Sequence, residues 1–231
     1  MEPLISVIIP ALNEAAGIEN TLRSVSRQAP EHEIIVADGG SLDKTAAIAS
    51  RYGRVVQAPR GRSRQMNAGA AQARGDILLF LHADTLLPPD GLEKVRGTLS
   101  DPELAGGAFR LRFDRNTPLL RFYSWFTYLH APRICFGDRG CFVRRSVFEE
   151  LGGYPDLPIF EDIELVRKLH ERGGFVFLKN YVTSSARRFR ERGPFLQQLQ
   201  NTYLWIRYAI GADPKTLASW YPYGKQKART G

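Results

Sequence analysis

Leu4 to Ile9 is a nearly unbroken apolar run rich in β-branched residues, and Pro10 follows it. That pattern predicts a strand buried on both faces, with the proline closing it. Ile18, Leu22 and Val25 then recur at helical spacing. Glu33 to Ala37 predicts a second strand, which runs directly into Asp38-Gly39-Gly40-Ser41. Ser41 is placed to cap a helix carrying Ile48, Arg54 to Gln57 predicts a third strand, and Met66, Ala70 and Ala73 mark a helix with a small-residue face. Asp76 to Leu81 is a further buried strand that delivers His82, Ala83 and Asp84 to its carboxyl end. Strands alternating with helices imply βα units and a mostly parallel central sheet flanked by helices, an α/β fold.

The second half is less regular. Leu92, Val95 and Leu99 predict a helix, and the alternation over Gly106 to Phe113 predicts a half-exposed strand. Pro118 to Leu129 is aromatic and reads as helical, and Ser146-Val147-Phe148-Glu149 reads as a capping box ahead of Gly152-Gly153. Ile163, Val166 and Leu169 place a helix after Glu161-Asp162, and Phe175 to Leu178 predicts a strand. From Pro194, Leu196, Leu199, Tyr203, Ile206 and Ile210 trace one face of a C-terminal amphipathic helix. Without repeats or a low-complexity linker, residues 1–231 are expected to form one domain: a nucleotide-binding half over 1–100, an acceptor and catalytic half over 101–190, and a helical appendage over 191–231.

Composition narrows the class. Hydrophobic residues at 43% and charged residues at 24% describe a globular protein rather than a disordered chain. No apolar stretch is long enough to span a bilayer, and the start lacks the pattern of a secretory signal, so a cytoplasmic protein is expected. The net charge of +8 suits an anionic partner. Nucleic acid is not expected, because no zinc-finger spacing, RNA-binding aromatic signature or helix-turn-helix pattern accompanies the charge. Cys135 and Cys141 match neither a redox pair nor a zinc site and are expected to be reduced thiols.

The chemistry gathers at the predicted strand ends, where ligands of parallel sheets bind. Glu14, Asp38 and Asp84 follow strands, and Asp162 opens a helix behind Glu161. Asp38 is suited to accept from ribose hydroxyls or a base N–H, or to cap its own turn. The first strand is followed by Pro10 to Glu14 rather than by a glycine-rich dinucleotide turn. Asp84 is suited to a divalent cation shared with two phosphates, and His82 to the metal, to phosphate or to simple packing. Asp162 is either a general base or one of the acidic residues favoured in a first turn, with Glu161 its neighbour in charge. Arg60, Arg62 and Arg64 present guanidinium groups to a diphosphate or to solvent, and Arg187 and Arg188 pose the same choice.

Taken in order, Ser6-Val7-Ile8-Ile9-Pro10-Ala11-Leu12-Asn13-Glu14, Ile35-Val36-Ala37-Asp38-Gly39-Gly40-Ser41, Asn67-Ala68-Gly69, Leu81-His82-Ala83-Asp84 and Phe160-Glu161-Asp162 resemble the family 2 glycosyltransferases of GT-A fold. The resemblance implies inverting transfer from a nucleotide-diphosphate sugar to a hydroxyl acceptor, assisted by Mg2+ or Mn2+. It implies that Pro10, Glu14 and Asp38 line the nucleoside site, that Asp84 is the metal-binding aspartate, and that Asp162 is the base. His82 stands where the family has the first aspartate of its metal motif. The run Arg60 to Asn67 and Phe136-Gly137-Asp138-Arg139-Gly140 resemble a compact bacterial branch, some members of which are labelled as involved in arsenosugar biosynthesis. In that likeness Asp138 and Arg139 border the acceptor. A nucleotidyltransferase acting on sugar phosphates, or a degenerate sugar-nucleotide-binding protein, is the competing class. Lipid-linked acceptors give the basic, aromatic C-terminal region a role at the inner face of an anionic membrane, and covering the sheet or forming a homodimer is the other role open to that helix.

Overall fold

Hydrophobic burial on both faces of one strand organises the chain. The computed structural model describes residues 2–29, 31–115, 117–126 and 139–220. In chain order the elements are β1 (Ile5–Ala11), α1 (Ile18–Ser26), β2 (His32–Asp38), α2 (Thr45–Ala49), β3 (Arg54–Gln57), α3 (Arg62–Ala71), β4 (Ile77–Phe80), β5 (Thr85–Leu86), α4 (Gly91–Thr98), β6 (Gly106–Phe113), α5 (Pro118–Phe126), β7 (Cys141–Arg144), α6 (Arg145–Glu150), α7 (Glu161–Arg172), β8 (Phe175–Ser184), α8 (Arg187–Arg192), α9 (Pro194–Ala209) and α10 (Pro214–Trp220). The strands form one sheet in the order β3-β2-β1-β4-β7-β6-β8-β5. β1 to β4 run parallel, and so do β6 and β8, while β7 is antiparallel to both its neighbours and β5 is antiparallel to β8.

Alternate residues of β1 enter separate cores. Val7 and Ile9 join Leu22 of α1 and Val95 of α4 on one face. Ile8 joins Met66 of α3, Phe148 of α6 and Leu165 of α7 on the other. The sheet is therefore the middle of three layers. Its register brings the carboxyl ends of β1, β2 and β4 to one edge.

Pro10 does not close β1, which continues to Ala11. The Ile8 carbonyl accepts from Leu81 N–H on the β4 side, and the Ala11 carbonyl accepts from Gly39 N–H on the β2 side. Pro10 shares the side of Ile8, beyond the last β1–β4 pair at Ile8 and Phe80, so its missing donor interrupts no ladder. Three further expectations are corrected. β6 is covered on both faces over its first half, because Ala108 and Phe109 are both fully buried between the helical layers. No capping box opens α6, since Ser146 already lies inside the helix and Arg144 holds the N-cap position. The apolar face of α9 does not cover the sheet: Leu196, Leu199, Tyr203, Ile206 and Ile210 are exposed, and the helix docks through Leu204 and Tyr208 instead.

That docking has a specific anchor. The Tyr208 ring stacks on Phe160 at 4.6 Å, and its hydroxyl donates to Glu164 of α7. Burial, reinforced by the Glu164 charge, raises the Tyr208 hydroxyl pKa. Burial also works to raise the Glu164 carboxyl, yet donors from Arg167 and Tyr208 outweigh it and hold the group below its ordinary range. Cys141 is buried in β7, and Cys135 lies outside the described residues.

Close approach of α3 to β1 depends on Gly69, where a Cβ would stand 2.5 Å from Cγ2 of Ile8. Ile8 is fully buried and has no room to retreat. Gly69→Ala is expected to lower unfolding free energy in urea by about 1–3 kcal/mol despite the better helix propensity of alanine. An unchanged or raised midpoint would show that the α3–β1 spacing is not limiting.

Candidate active site

Two loops leave the parallel edge and are stitched together. Asn13 turns the chain out of β1 with a φ of 54°, in the left-handed region that asparagine tolerates. Its N–H donates to Ser41 Oγ at 2.9 Å, and its Oδ1 accepts from Leu42 N–H at 2.8 Å. Glu14 N–H donates to Thr45 Oγ1 at 2.8 Å. Asp38, only 2% exposed, accepts from the N–H groups of Gly40 and Ser41 at 3.2 and 3.0 Å and from the Ser41 hydroxyl. Ser41 thus ties the turn rather than capping α2. Lys44 holds the N-cap position of α2, and Asp43 before it accepts from Thr45 N–H at 2.9 Å. An ionised carboxylate offers about four lone-pair sites, so Asp38 keeps acceptor capacity beyond its turn.

β8 carries the third wall to the same edge. Ser185 N–H donates to the Asp84 carbonyl at 3.0 Å, and the side-chain hydroxyls of Thr85 and Ser184 lie 3.2 Å apart. Two residues beyond Ser185, Arg187 Nη2 donates to both oxygens of Glu14 at 2.9 Å. Glu14, Asp84 and Arg187 are therefore neighbours through short connections, although 173 residues separate Glu14 from Arg187. His82 is 8% exposed and Asp84 half-buried. Among the described residues no group of three or more His, Cys, Asp or Glu side chains could hold a metal ion. Asp84 alone fits a cation that takes its other ligands from phosphates and water, as Mg2+ commonly does.

A second cluster stands at the start of α7. Glu161 is fully buried and Asp162 is 7% exposed. Arg62 Nη1 lies 3.4 Å from Glu161 Oε1 and 3.9 Å from Asp162 Oδ2. Glu161 Oε2 has no hydrogen-bond partner among the described residues. The α7 N-terminus adds its own positive end to the Arg62 charge. Phe160, which precedes the pair, is held in the left-handed region with a φ of 65°. A bulky residue there carries strain of order 1 kcal/mol, sustained here by its stacking on Tyr208.

α3 joins the clusters. Gln65, one turn after Arg62, donates from Nε2 to the carbonyls of Ala11 and Ala37 at 2.7 and 2.9 Å, gripping the ends of β1 and β2. Of the three arginines around the start of α3, Arg62 faces the acidic pair, Arg64 is exposed and paired through two 2.8 Å bonds with Asp156, and Arg60 is exposed. The structure thus holds Arg64 in a surface ion pair and brings forward Arg62. Pro10 is half-buried at the β1 end. Arg139 is buried over the Phe177 ring at 5.4 Å, and Asp138 lies outside the described residues. Sequence reasoning passed over Gln65, whose one available signal was its place a helical turn after Arg62, on the side of Met66 and Gly69.

Residues 6–152 match the family described as Glycosyl transferase family 2. The chain is 29% identical over 204 residues to a probable glycosyltransferase, YdaM, of Bacillus subtilis, covering 74% of this chain and 47% of that protein. It is 31% identical over 166 residues to a PGL/p-HBAD biosynthesis glycosyltransferase of Mycobacterium bovis, covering 66% and 63%. The chain spans about half the length of the curated relatives it matches. In fold it resembles a mannosyltransferase from Pyrobaculum calidifontis solved with GDP-Man and Mn2+, with a TM-score of 0.72 at 22% identity over 96% of this chain and 70% of the other. Glucosyl-3-phosphoglycerate synthase from Mycobacterium tuberculosis, solved with Mn2+ and UDP, gives a TM-score of 0.64 at 20% identity over 91% and 81%.

Removing the cation from a buried ion pair is costly, because it leaves an uncompensated charge. Arg62→Met is expected to lower unfolding free energy by about 3 kcal/mol, and adding Glu161→Gln to recover at least half of that loss. Purely additive losses in urea titrations would show that Arg62 and Glu161 do not support one another.

Proposed function

This chain belongs to glycosyl transferase family 2, and on that premise we propose that it moves a sugar, with inversion, from a nucleotide-diphosphate donor to a hydroxyl acceptor. The observation that carries this reading is that α3 links the two clusters, with Arg62 facing the buried carboxylate pair of α7 and Gln65, one turn on, bound to the ends of β1 and β2. One cluster is suited to hold the donor and the other to deprotonate the acceptor.

In this reading Pro10, Glu14 and Asp38 line the nucleoside, with Asp38 directing its spare lone pairs to ribose or base. Arg187 and the exposed Arg60 supply positive charge for the diphosphate, and His82 borders it. Bound at Asp84, Mg2+ or Mn2+ would neutralise charge on the departing diphosphate. Support comes from the fold neighbours solved with GDP-Man and Mn2+ and with UDP and Mn2+. The acceptor oxygen attacks the anomeric carbon opposite the leaving group, the bond to the phosphate oxygen breaks with its electrons going to that oxygen, and Asp162 takes the acceptor proton. Arg62 places a positive charge beside Asp162, and Glu161 positions Arg62.

Asp138 and Arg139 border the acceptor in the same proposal, which assigns residues 1–100 to the donor, 101–190 to the acceptor and chemistry, and 191–231 to an appendage of one domain. Placement in the compact bacterial branch rests on the run Arg60 to Asn67 and on 136–140, and names no acceptor. UDP, GDP and dTDP sugars all suit Asp38.

Asp84→Asn is expected to weaken metal-dependent nucleotide binding at least tenfold. Asp162→Asn is expected to keep that affinity while turnover falls by about 10²–10⁴. Calorimetry and a donor-consumption assay read the two effects separately. Equal affinity and equal turnover in the two variants would sink the assignment.

A further inference from the structure

α9 turns its apolar side outward. Phe195, Leu196, Leu199, Tyr203, Ile206 and Ile210 are between 47 and 74% exposed. At 100° per residue these positions fall within an arc of about 100°, a continuous stripe along the helix. Gln197 and Leu204, on the opposite side, are buried. Trp220 of α10 extends the stripe: it is 46% exposed, stacks on Tyr203 at 6.2 Å and lies under the Arg207 guanidinium at 5.8 Å. An apolar strip with Tyr and Trp at its margin and arginine beside them has the chemistry of a bilayer interface.

Charge selects the kind of surface. Residues 187–220, which span α8 to α10, hold six Lys and Arg against two Asp and Glu, a net charge of +4. Each basic residue near an anionic leaflet adds attraction, and the stripe adds burial of apolar area. A second copy docking through the same face would set one net-positive segment against another, which disfavours that occupant. None of the described helices is long and apolar enough to cross a membrane. We propose that α9 and α10 form a docking face that lies in the headgroup region of an anionic lipid bilayer.

The position of the face gives it a use. The buried side of α9 packs on Ile159 and Phe160, next to the Glu161–Asp162 pair, so the membrane plane would run roughly one helix diameter, about 10 Å, from the acidic cluster. That spacing suits an acceptor hydroxyl on a lipid anchored in the same bilayer. The substrate class rests on the transferase reading, whereas the docking face does not.

The test is co-sedimentation of the full chain with vesicles of phosphatidylglycerol and phosphatidylcholine, against phosphatidylcholine alone, at low and high salt. Leu199→Glu/Ile206→Glu is the variant, since both positions are exposed and neither lies in the binding clusters. The expected result is at least tenfold stronger pelleting with phosphatidylglycerol, weakened by salt, and at least tenfold loss in the variant with its melting temperature and nucleotide binding retained. Wild type that stays in the supernatant at low salt, or a variant that pellets like wild type, overturns the proposal. A solution mass twice 26.0 kDa that halves in the variant also overturns it, in favour of a dimer. Pelleting with no nucleotide affinity would leave the docking face standing and refute the donor site, so the two failures are distinguishable.

Discussion

The acidic pair Glu161 and Asp162 sets the terms for the rest of the molecule. Two adjacent carboxylates almost out of water are unfavourable unless positive charge and donors meet them. The α7 N-terminus supplies part of that compensation through its dipole, and Arg62 adds positive charge from another element. Arg62 opens α3, and α3 is fastened to the sheet by the Gln65 bridge and by the close contact at Gly69. An electrostatic requirement at one helix start is thereby met by packing that begins in the first strand.

The same arrangement separates two tasks. The parallel ends of β1, β2 and β4, together with the turn after β8, assemble acceptors and a guanidinium at one edge. Arg187 donates to both oxygens of Glu14, so in the proposed reading a donor at this edge must share or displace that charge pair. The acidic pair stands across α3 with Phe160 strained behind it and Tyr208 holding Phe160 from α9. The C-terminal helices are consequently mechanical neighbours of the acidic cluster, and the exposed face of α9 connects that cluster to whatever surface the protein meets.

Much of this was legible in the sequence, for physical reasons. β1, β2 and β4 are buried on both faces, so their apolar runs announced them, and β3 and β6 matched their expected bounds at Arg54–Gln57 and Gly106–Phe113. β5 has two residues and exists only through its partner β8, and four-residue β7 likewise owes its identity to β4 and β6, which no local pattern reveals. The sequence predicts Ser41 as a helix cap, and Asp38 with the neighbouring strand end at Asn13 draws its hydroxyl into the turn instead. Among Arg60, Arg62 and Arg64, spacing could not choose: residues two apart on a helix point about 200° apart, so Arg62 and Arg64 had to diverge, and which one met the acidic pair depended on where α7 lay. The periodicity of α9 identified an apolar face, and periodicity alone does not say whether such a face is covered.

The most direct measurement is calorimetric titration of the wild-type chain with UDP, GDP and dTDP, in Mn2+ and again in chelator. The account predicts that at least one diphosphate binds in Mn2+ and loses most of its affinity when the cation is removed, because Asp84 offers a single carboxylate and the phosphates must complete the site. Binding that is indifferent to chelator, or no binding of any of the three, would contradict it.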